Sequence, residues 1–304
     1  MSRTFHLIAI GCCAASLVAV PVTAASVPAP RPLAQAQAGA LPSCRAPFPF
    51  HPAEFPRRPA AGTRWLSLVP GTAFSLTGLA EGDDGKLHRH TIVSVVSRVT
   101  KRLDGVTTRI VFERDYQVGR LAESELAFEA ADRSGNVWNV GEYPEEYENG
   151  HLAGAPSTWI AGLAKARAGI GMLAQPRLGT TAYSQGSAPR VGFHDCAKVA
   201  GTGRRVCIPR RCYQGVLIIR EWAPNDPGGG VQLKYYAPHV GAIKVGQVGS
   251  GSSAEELHLT RMRHLTRAEL NRIDAAVLRQ DRRGYRVSPH LYARTARARV
   301  CHDD

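Results

Sequence analysis

The stretch from residue 132 to 150, "DRSGNVWNVGEYPEEYENG", concentrates side chains that could do chemistry. Its crowded carboxylates belong to Glu142, Glu145, Glu146 and Glu148. Neighbouring carboxylates raise one another's pKa and can then act as acid and base, and on a loop they can also hold Ca²⁺. The Asn149-Gly150 pair is typical of a turn. We therefore predict a solvated turn, and whether residues 142–148 bind a cation stays open.

A hydrolase could be built from one of three separate acids with a histidine, namely Asp115, Glu125 or Glu142 with His194. This hypothesis requires the groups to converge within about 6 Å in the fold. Sequence motifs for a nucleophile elbow, a zinc protease, a phosphate loop or a dinucleotide fold are absent. We therefore assign no catalytic residue and keep the carboxylate/His hydrolase as the alternative.

Histidines and cysteines offer two candidate metal sites. His88 and His90 are two residues apart and would share one face of a strand, but the preceding "EGDDGK" predicts a solvated pair beside a turn. Three cysteines could join His194, but their spacing matches no zinc pattern; they are Cys196, Cys207 and Cys212. We assign no metal and no cofactor.

The first 24 residues have the layout of a secretory signal peptide: Arg3, an apolar run and small residues before a cleavage point after Ala24. A lipoprotein signal ending at Cys12 is the alternative. The signal predicts an exported protein, periplasmic or secreted. No later segment is long and apolar enough for a membrane helix, so we expect a soluble mature chain with no transmembrane segment. Export favours disulfides. A hairpin at Gly201-Thr202 would pair Cys196 with Cys207, and Cys44 and Cys301 would then join the two ends of the domain.

The net charge is +13 at pH 7, and arginines are concentrated near the C-terminus. No basic motif interleaved with aromatic residues is present, so we predict no nucleic-acid partner. An exposed arginine-rich tail could instead be attracted to an anionic envelope surface.

Proline and alanine dominate residues 25–61, which predicts a disordered leader. Residues 62–264 contain short runs of alternating apolar residues separated by turn signals such as Asp104-Gly105. This pattern predicts a mainly β domain: an antiparallel curved sheet that forms a barrel or half-barrel. Residues 151–192 lack periodicity and predict a lid. Residues 265–304 predict a C-terminal helix that begins at a capping box of Thr266 and Glu269 and ends at Gly284.

Aromatic residues cluster near predicted strand ends and in the lid segment. Rings at the mouth of a barrel would form an apolar pocket with polar tips. We predict that the concave side of the sheet is lined by rings and aliphatic groups and binds a lipid or another small amphipathic ligand without catalysis. The candidate ligand-binding residues are Trp138, Tyr143, Trp159, Met172, Tyr183, Trp222, Tyr235 and Tyr236. A structural module that contacts the envelope is a further alternative.

Several motifs together, among them "VPGTAF", "FERDY", "GNVWNVGE", "REW" and "KYYAPHVG", resemble a group of uncharacterised exported bacterial β-rich proteins. The resemblance runs from about residue 68 to 259 and implies no particular activity. The "YYAPHVG" turn is also similar to turns in bacterial envelope proteins with a curved half-barrel sheet, some of which carry lipids. This resemblance implies the same fold class as the alternation.

Overall fold

The computed structural model describes residues 41–45, 48–82, 84–226, 229–248 and 255–301. The predicted signal peptide and residues 25–40 of the predicted leader lie outside the described residues. Within these ranges, no helix combines the length and the apolar character needed to cross a bilayer.

Most of the described chain forms β-strands. They are β1 (Thr72–Glu81), β2 (Leu87–Leu103), β3 (Val106–Gln117), β4 (Arg120–Ala131), β5 (Val137–Glu148), β6 (His151–Gly154), β7 (Trp159–Ile160), β8 (Arg167–Met172), β9 (Tyr183–Ala188), β10 (Phe193–Ile208), β11 (Arg211–Trp222), β12 (Val231–Ala237), β13 (Gly241–Val248), β14 (Glu255–His264) and β15 (Arg299–Val300). Two helices follow β14, α1 (Arg267–Val287) and α2 (Pro289–Tyr292).

Twelve of these strands form a closed antiparallel barrel. Around the wall the order is β1, β14, β13, β12, β11, β10, β9, β8, β5, β4, β3 and β2, and β2 pairs again with β1. The strands β6 and β7 pair with β5, and β15 pairs with β2. The predicted mainly β fold, a barrel with a C-terminal helix, is confirmed.

The acidic stretch is a strand rather than a solvated turn. Residues 137–148 form β5, and Glu142 and Glu145 are fully buried. The turn signal acts only after the strand, because Asn149 and Gly150 have positive φ angles of 50° and 81° and connect β5 to β6. Our prediction of solvated carboxylates was wrong for Glu142 and Glu145, because strand pairing on both sides of β5 outweighs their polarity, whereas Glu146 is partly exposed and Glu148 is exposed next to the turn.

The segment predicted to be a lid contributes β8 and β9 to the barrel wall. The alternation of apolar and polar residues is weak in these strands because small residues, which permit close strand packing, occupy many of their positions. A Cβ atom on Gly169 would lie 2.3 Å from the backbone of Gln185, so only glycine fits there. Two strands of the predicted lid are therefore part of the barrel wall itself.

The described part of the predicted leader is ordered. The rings of Phe50 and Phe55 pack on Trp138, with centroids 5.3 and 6.0 Å away. Pro52 begins a short 3-10 helix, Pro52–Glu54, between these two rings. The aromatic contacts offset the entropy lost when this part of the chain becomes ordered.

The C-terminal helix packs on the outer face of β2 to β5. Its capping box of Thr266 and Glu269 is present as predicted. The predicted end at Gly284 was wrong, since α1 continues to Val287. Gly284 instead makes room for a ring: a Cβ atom there would lie 2.3 Å from the Tyr292 side chain.

The disulfides differ from the predicted pairs. Cys44 bonds to Cys196, and Cys207 bonds to Cys212. Strand β10 continues past Gly201 through irregular register, and the chain reverses only after Ile208, which places Cys207 opposite Cys212. Cys301 follows β15 and belongs to neither bond.

Candidate functional site: an acidic barrel lumen

The inner face of the barrel carries a dense array of carboxylates. In an antiparallel sheet, cross-strand partners share a face, and the register places Glu113 opposite Glu125 and Asp115 opposite Glu123. We call the whole array the acidic lumen; it consists of Glu113, Asp115, Glu123, Glu125, Glu129, Glu142, Asp195, Glu221 and Glu255. The lumen therefore carries these acids beside rings and aliphatic side chains, among them Val96, Val111 and Tyr236. Our expectation of a concave face lined by rings and aliphatic groups did not include the acids.

Three basic side chains on the same face offset part of this charge. Lys234 forms an ion pair of 2.5 Å with Glu221, and Arg109 is the cross-strand partner of Glu129. His90 lies between Asp115 and Glu255, with 2.7 Å from its two ring nitrogens to the two carboxylates. Carboxylates thus outnumber the described basic groups in the lumen, and protons or a cationic ligand must make up the difference.

The pKa values of the lumen groups reflect this crowding. Burial, reinforced by neighbouring carboxylates, raises the pKa of Glu123 and of Glu129 to about 8. Burial also holds the pKa values of Glu125, Glu142 and Asp195 well above the usual range. These carboxyl groups therefore keep protons at neutral pH that a solvated glutamate or aspartate would lose.

His90 is charged at neutral pH. Burial alone would lower its pKa, but the hydrogen bonds with Asp115 and Glu255 outweigh burial and raise the pKa to about 9. The prediction of a solvated histidine pair holds for His88, which is partly exposed and bonded to Asp84 at 2.8 Å, and was wrong for His90. The two histidines differ because β3 and β14 supply the two carboxylates that contact His90.

Several polar atoms that face the lumen have no hydrogen-bond partner among the described residues. They include Asp115 Oδ2, Glu123 Oε2, Glu125 Oε1, Glu129 Oε2, the Tyr183 hydroxyl and Gln232 Oε1. A buried polar group without a partner is costly, so such atoms in a folded protein point to water or a ligand.

A small cavity opens beside the array. It has a volume of about 80 Å³, and its two carboxylates come from Glu113 and Glu129. Ser94 donates a hydrogen bond of 2.7 Å to Glu113. The rest of the wall is mostly apolar, with Phe74, Leu76, Val96, Val111 and Tyr236 among its residues. The cavity thus combines two acids with an apolar surface.

The predicted ligand-binding residues are divided between the two faces of the wall. Trp159, Tyr183 and Tyr236 lie on the lumen side by register with Glu142, Ala197 and Leu217. Four others face outward: Tyr143 packs on Tyr292, Trp138 on the leader, Trp222 donates to the Pro42 carbonyl, and Tyr235 lies near Lys244. Met172 is buried in the core.

The hydrolase constellation does not form. His194 lies on the outer face with its Nε2 atom 3.6 Å from Cys44 Sγ, while its neighbour Asp195 faces inward with Asp115, Glu125 and Glu142. The sequence analysis missed Glu113 and Glu129, and it placed His90 in a solvated pair. The alternation of Glu123, Glu125 and Glu129 along β4 was a signal that could have found the array.

Metal-ligand geometry occurs at one place among the described residues, where ligand atoms of Cys44, His194 and Cys196 lie close together. Both sulfurs are joined in a disulfide in this structure and so are not thiolates. The acidic lumen spreads its carboxylates along the wall instead of converging them on one point.

Comparison of the chain with known proteins found two solved structures of low similarity. No protein-family model matches it, and no curated protein is detectably similar. A candidate exported protein with a YmcC-like fold from Bacteroides fragilis is 12% identical, with a TM-score of 0.35 over 64% of this chain and 96% of that one. A candidate lipoprotein from Parabacteroides distasonis is 11% identical, with a TM-score of 0.28 over 67% of this chain and 100% of that one. Similarity at this level carries no argument about the chain.

Proposed function

We propose that the protein is an exported, non-enzymatic binding protein whose acidic lumen takes up a small amphipathic amine. The observation that carries this proposal is the cavity in which the carboxylates of Glu113 and Glu129 face an otherwise largely apolar wall. An ammonium group would satisfy the acids, and its alkyl substituents would contact the wall. The sequence predicts an amphipathic ligand of either charge or none, and this proposal specifies an amphipathic ligand that carries a positive charge.

The electrostatics of the site support a cation. Glu129 Oε2 has no hydrogen-bond partner among the described residues, and the nearby carboxylate of Glu113 contributes to its raised pKa. A bound cation would replace the proton that Glu129 retains, which removes the repulsion between the two acids. Both side chains keep partial solvent exposure, as entry of a ligand requires.

The test is titration calorimetry with tetramethylammonium, whose charge does not depend on pH, and with tert-butanol as an uncharged probe of similar shape. We expect only the cation to bind. Glu113→Gln and Glu129→Gln should each weaken the binding of tetramethylammonium roughly tenfold, which corresponds to a loss of about 1.4 kcal/mol in binding free energy.

Glu256→Gln is the matched control, because this side chain is exposed on the outer face of β14. It should leave binding unchanged. Equal binding of the two probes, or equal loss in the control and lumen variants, would refute the proposal. Circular dichroism of each variant confirms that the barrel is folded.

Export is supported by the signal-like first 24 residues and by the two disulfides, which are typical of oxidising compartments. Mass spectrometry of the protein from fractionated cells should find a mature chain that begins near residue 25 outside the cytoplasm. Recovery of the uncleaved chain in the cytoplasm would contradict export.

A further inference from the structure

A second, oppositely charged groove lies on the outside of the barrel, between the wall and the first half of α1. The strand register sets two parallel rows across β14, β1, β2 and β3. One row is Arg261, Ser75, Val93 and Arg114, and the next is Arg263, Ala73, Val95 and Phe112. Arginines therefore stand at the edges, and short or apolar side chains form the middle.

The shape of the groove follows from these side-chain sizes. Ala73 and Ser75 are short, so β1 is a depression between the longer side chains of its neighbours. Helix α1 forms the opposite wall with Glu269, Arg272 and Ile273, which share one helix face at spacings of three and four residues. The enclosed volume is about 340 Å³, within the range of small-molecule sites.

The charge of the groove is strongly positive. Four guanidinium groups line it, from Arg114, Arg261, Arg263 and Arg272, against the single carboxylate of Glu269. That carboxylate is already bound by Arg263 at 2.7 Å and by the Thr266 cap. Within the described part of the chain, none of the other three arginines has a carboxylate partner.

We propose that this groove binds a single-chain anionic amphiphile, a fatty-acid-like carboxylate. Guanidinium groups match carboxylates in planar, bidentate geometry, and an alkyl chain would lie over Ala73, Val93, Val95 and Ile273. The site is independent of the acidic lumen, because it lies on the other face of the wall and selects the opposite charge.

The test is titration calorimetry of the full mature chain with laurate, with the uncharged amphiphile dodecyl maltoside and with inorganic phosphate. Laurate should bind at least tenfold more tightly than either other probe, because only laurate has both the anionic head and the chain. Arg114→Gln and Arg272→Gln should each weaken laurate roughly tenfold. Ala73→Leu should weaken it without any change of charge, by filling the floor.

The matched control is Arg282→Gln, an exposed arginine on the same helix but outside the groove. This variant should bind laurate with the same affinity as the unmodified protein. The lumen variants Glu113→Gln and Glu129→Gln should also keep that affinity. Binding of dodecyl maltoside as tight as laurate, phosphate binding as tight as laurate, or equal loss in Arg282→Gln and Arg272→Gln would overturn the proposal. Failure of laurate to bind the groove would not change the result expected for tetramethylammonium in the lumen, so the two proposals are tested separately.

Discussion

Lys101 on β2 and Asp281 on α1 form a buried ion pair in which Nζ lies 2.7 Å from Oδ1. The ammonium group also donates to the Ala296 carbonyl at 2.8 Å, and the second carboxylate oxygen accepts from the backbone of Ala298 at 3.1 Å. The pair therefore joins three parts of the chain: the barrel wall, the helix and the segment after α2.

We expect Lys101→Met to lower the free energy of unfolding by about 3–5 kcal/mol, because Asp281 then stays buried without its cation. The double variant Lys101→Met/Asp281→Leu should recover most of that loss. Urea unfolding of the two single variants and the double variant measures the coupling.

Lys244→Gln is the control for this cycle, since its pair with Glu256 is partly exposed and should contribute less than about 1 kcal/mol. Strictly additive losses at Lys101 and Asp281 would contradict the assignment.

The two disulfides should differ in their contribution to stability. The Cys44–Cys196 bond spans 152 residues and Cys207–Cys212 spans 5. Chain entropy predicts a loss of about 5 kcal/mol for Cys44→Ser/Cys196→Ser and about 2 kcal/mol for Cys207→Ser/Cys212→Ser. Guanidinium unfolding of both double variants tests the order, and an equal loss would show that the long loop is already constrained in the unfolded chain.

Stability should fall as the pH rises from about 5 to 9. The folded-state pKa values of Glu123 and Glu129, about 8, exceed the ordinary value of 4.5, so the folded state binds more protons between these values. The free energy of unfolding then decreases with pH in that window. His90 acts in the same direction, since its stabilising charge is lost between pH 6.5 and about 9.

Glu129→Gln should make the free energy of unfolding depend less on pH. At pH 8 the variant should be more stable than the unmodified protein by on the order of a few kcal/mol. Thermal or urea unfolding across the pH range measures the slope. The exposed Glu256→Gln variant should keep the unmodified slope. Stability that rises with pH would show that the lumen carboxylates are ionised in the folded protein.

Gly284 should be intolerant of alanine although it lies inside a helix. In an exposed helix the change would stabilise by about 1 kcal/mol. Here the new methyl group would overlap the Tyr292 ring, and we expect a net loss of about 1–3 kcal/mol. Tyr292→Leu in the same chain should relieve the overlap, so Gly284→Ala should cost less in that background. A stabilised single variant would mean that Tyr292 moves freely.

Much of the fold could be predicted from local patterns. Asp104 and Gly105 have the positive φ angles, 42° and 83°, that their turn signal predicts between β2 and β3. The capping box of Thr266 and Glu269 likewise marks the start of α1. These features depend on residues close together in the chain, so they can be predicted from the sequence alone.

The sequence by itself determined the strand alternation, the hairpin turns and the beginning of the helix, because each depends on a few neighbouring residues. Only the tertiary structure decided which face of each strand is the lumen. It turned the acids of β3 and β4 and Glu142 of β5 inward, placed His90 between Asp115 and Glu255, and joined Cys44 to Cys196. Those outcomes depend on barrel closure between β1 and β2 and on partners up to 165 residues apart, and no local pattern records them.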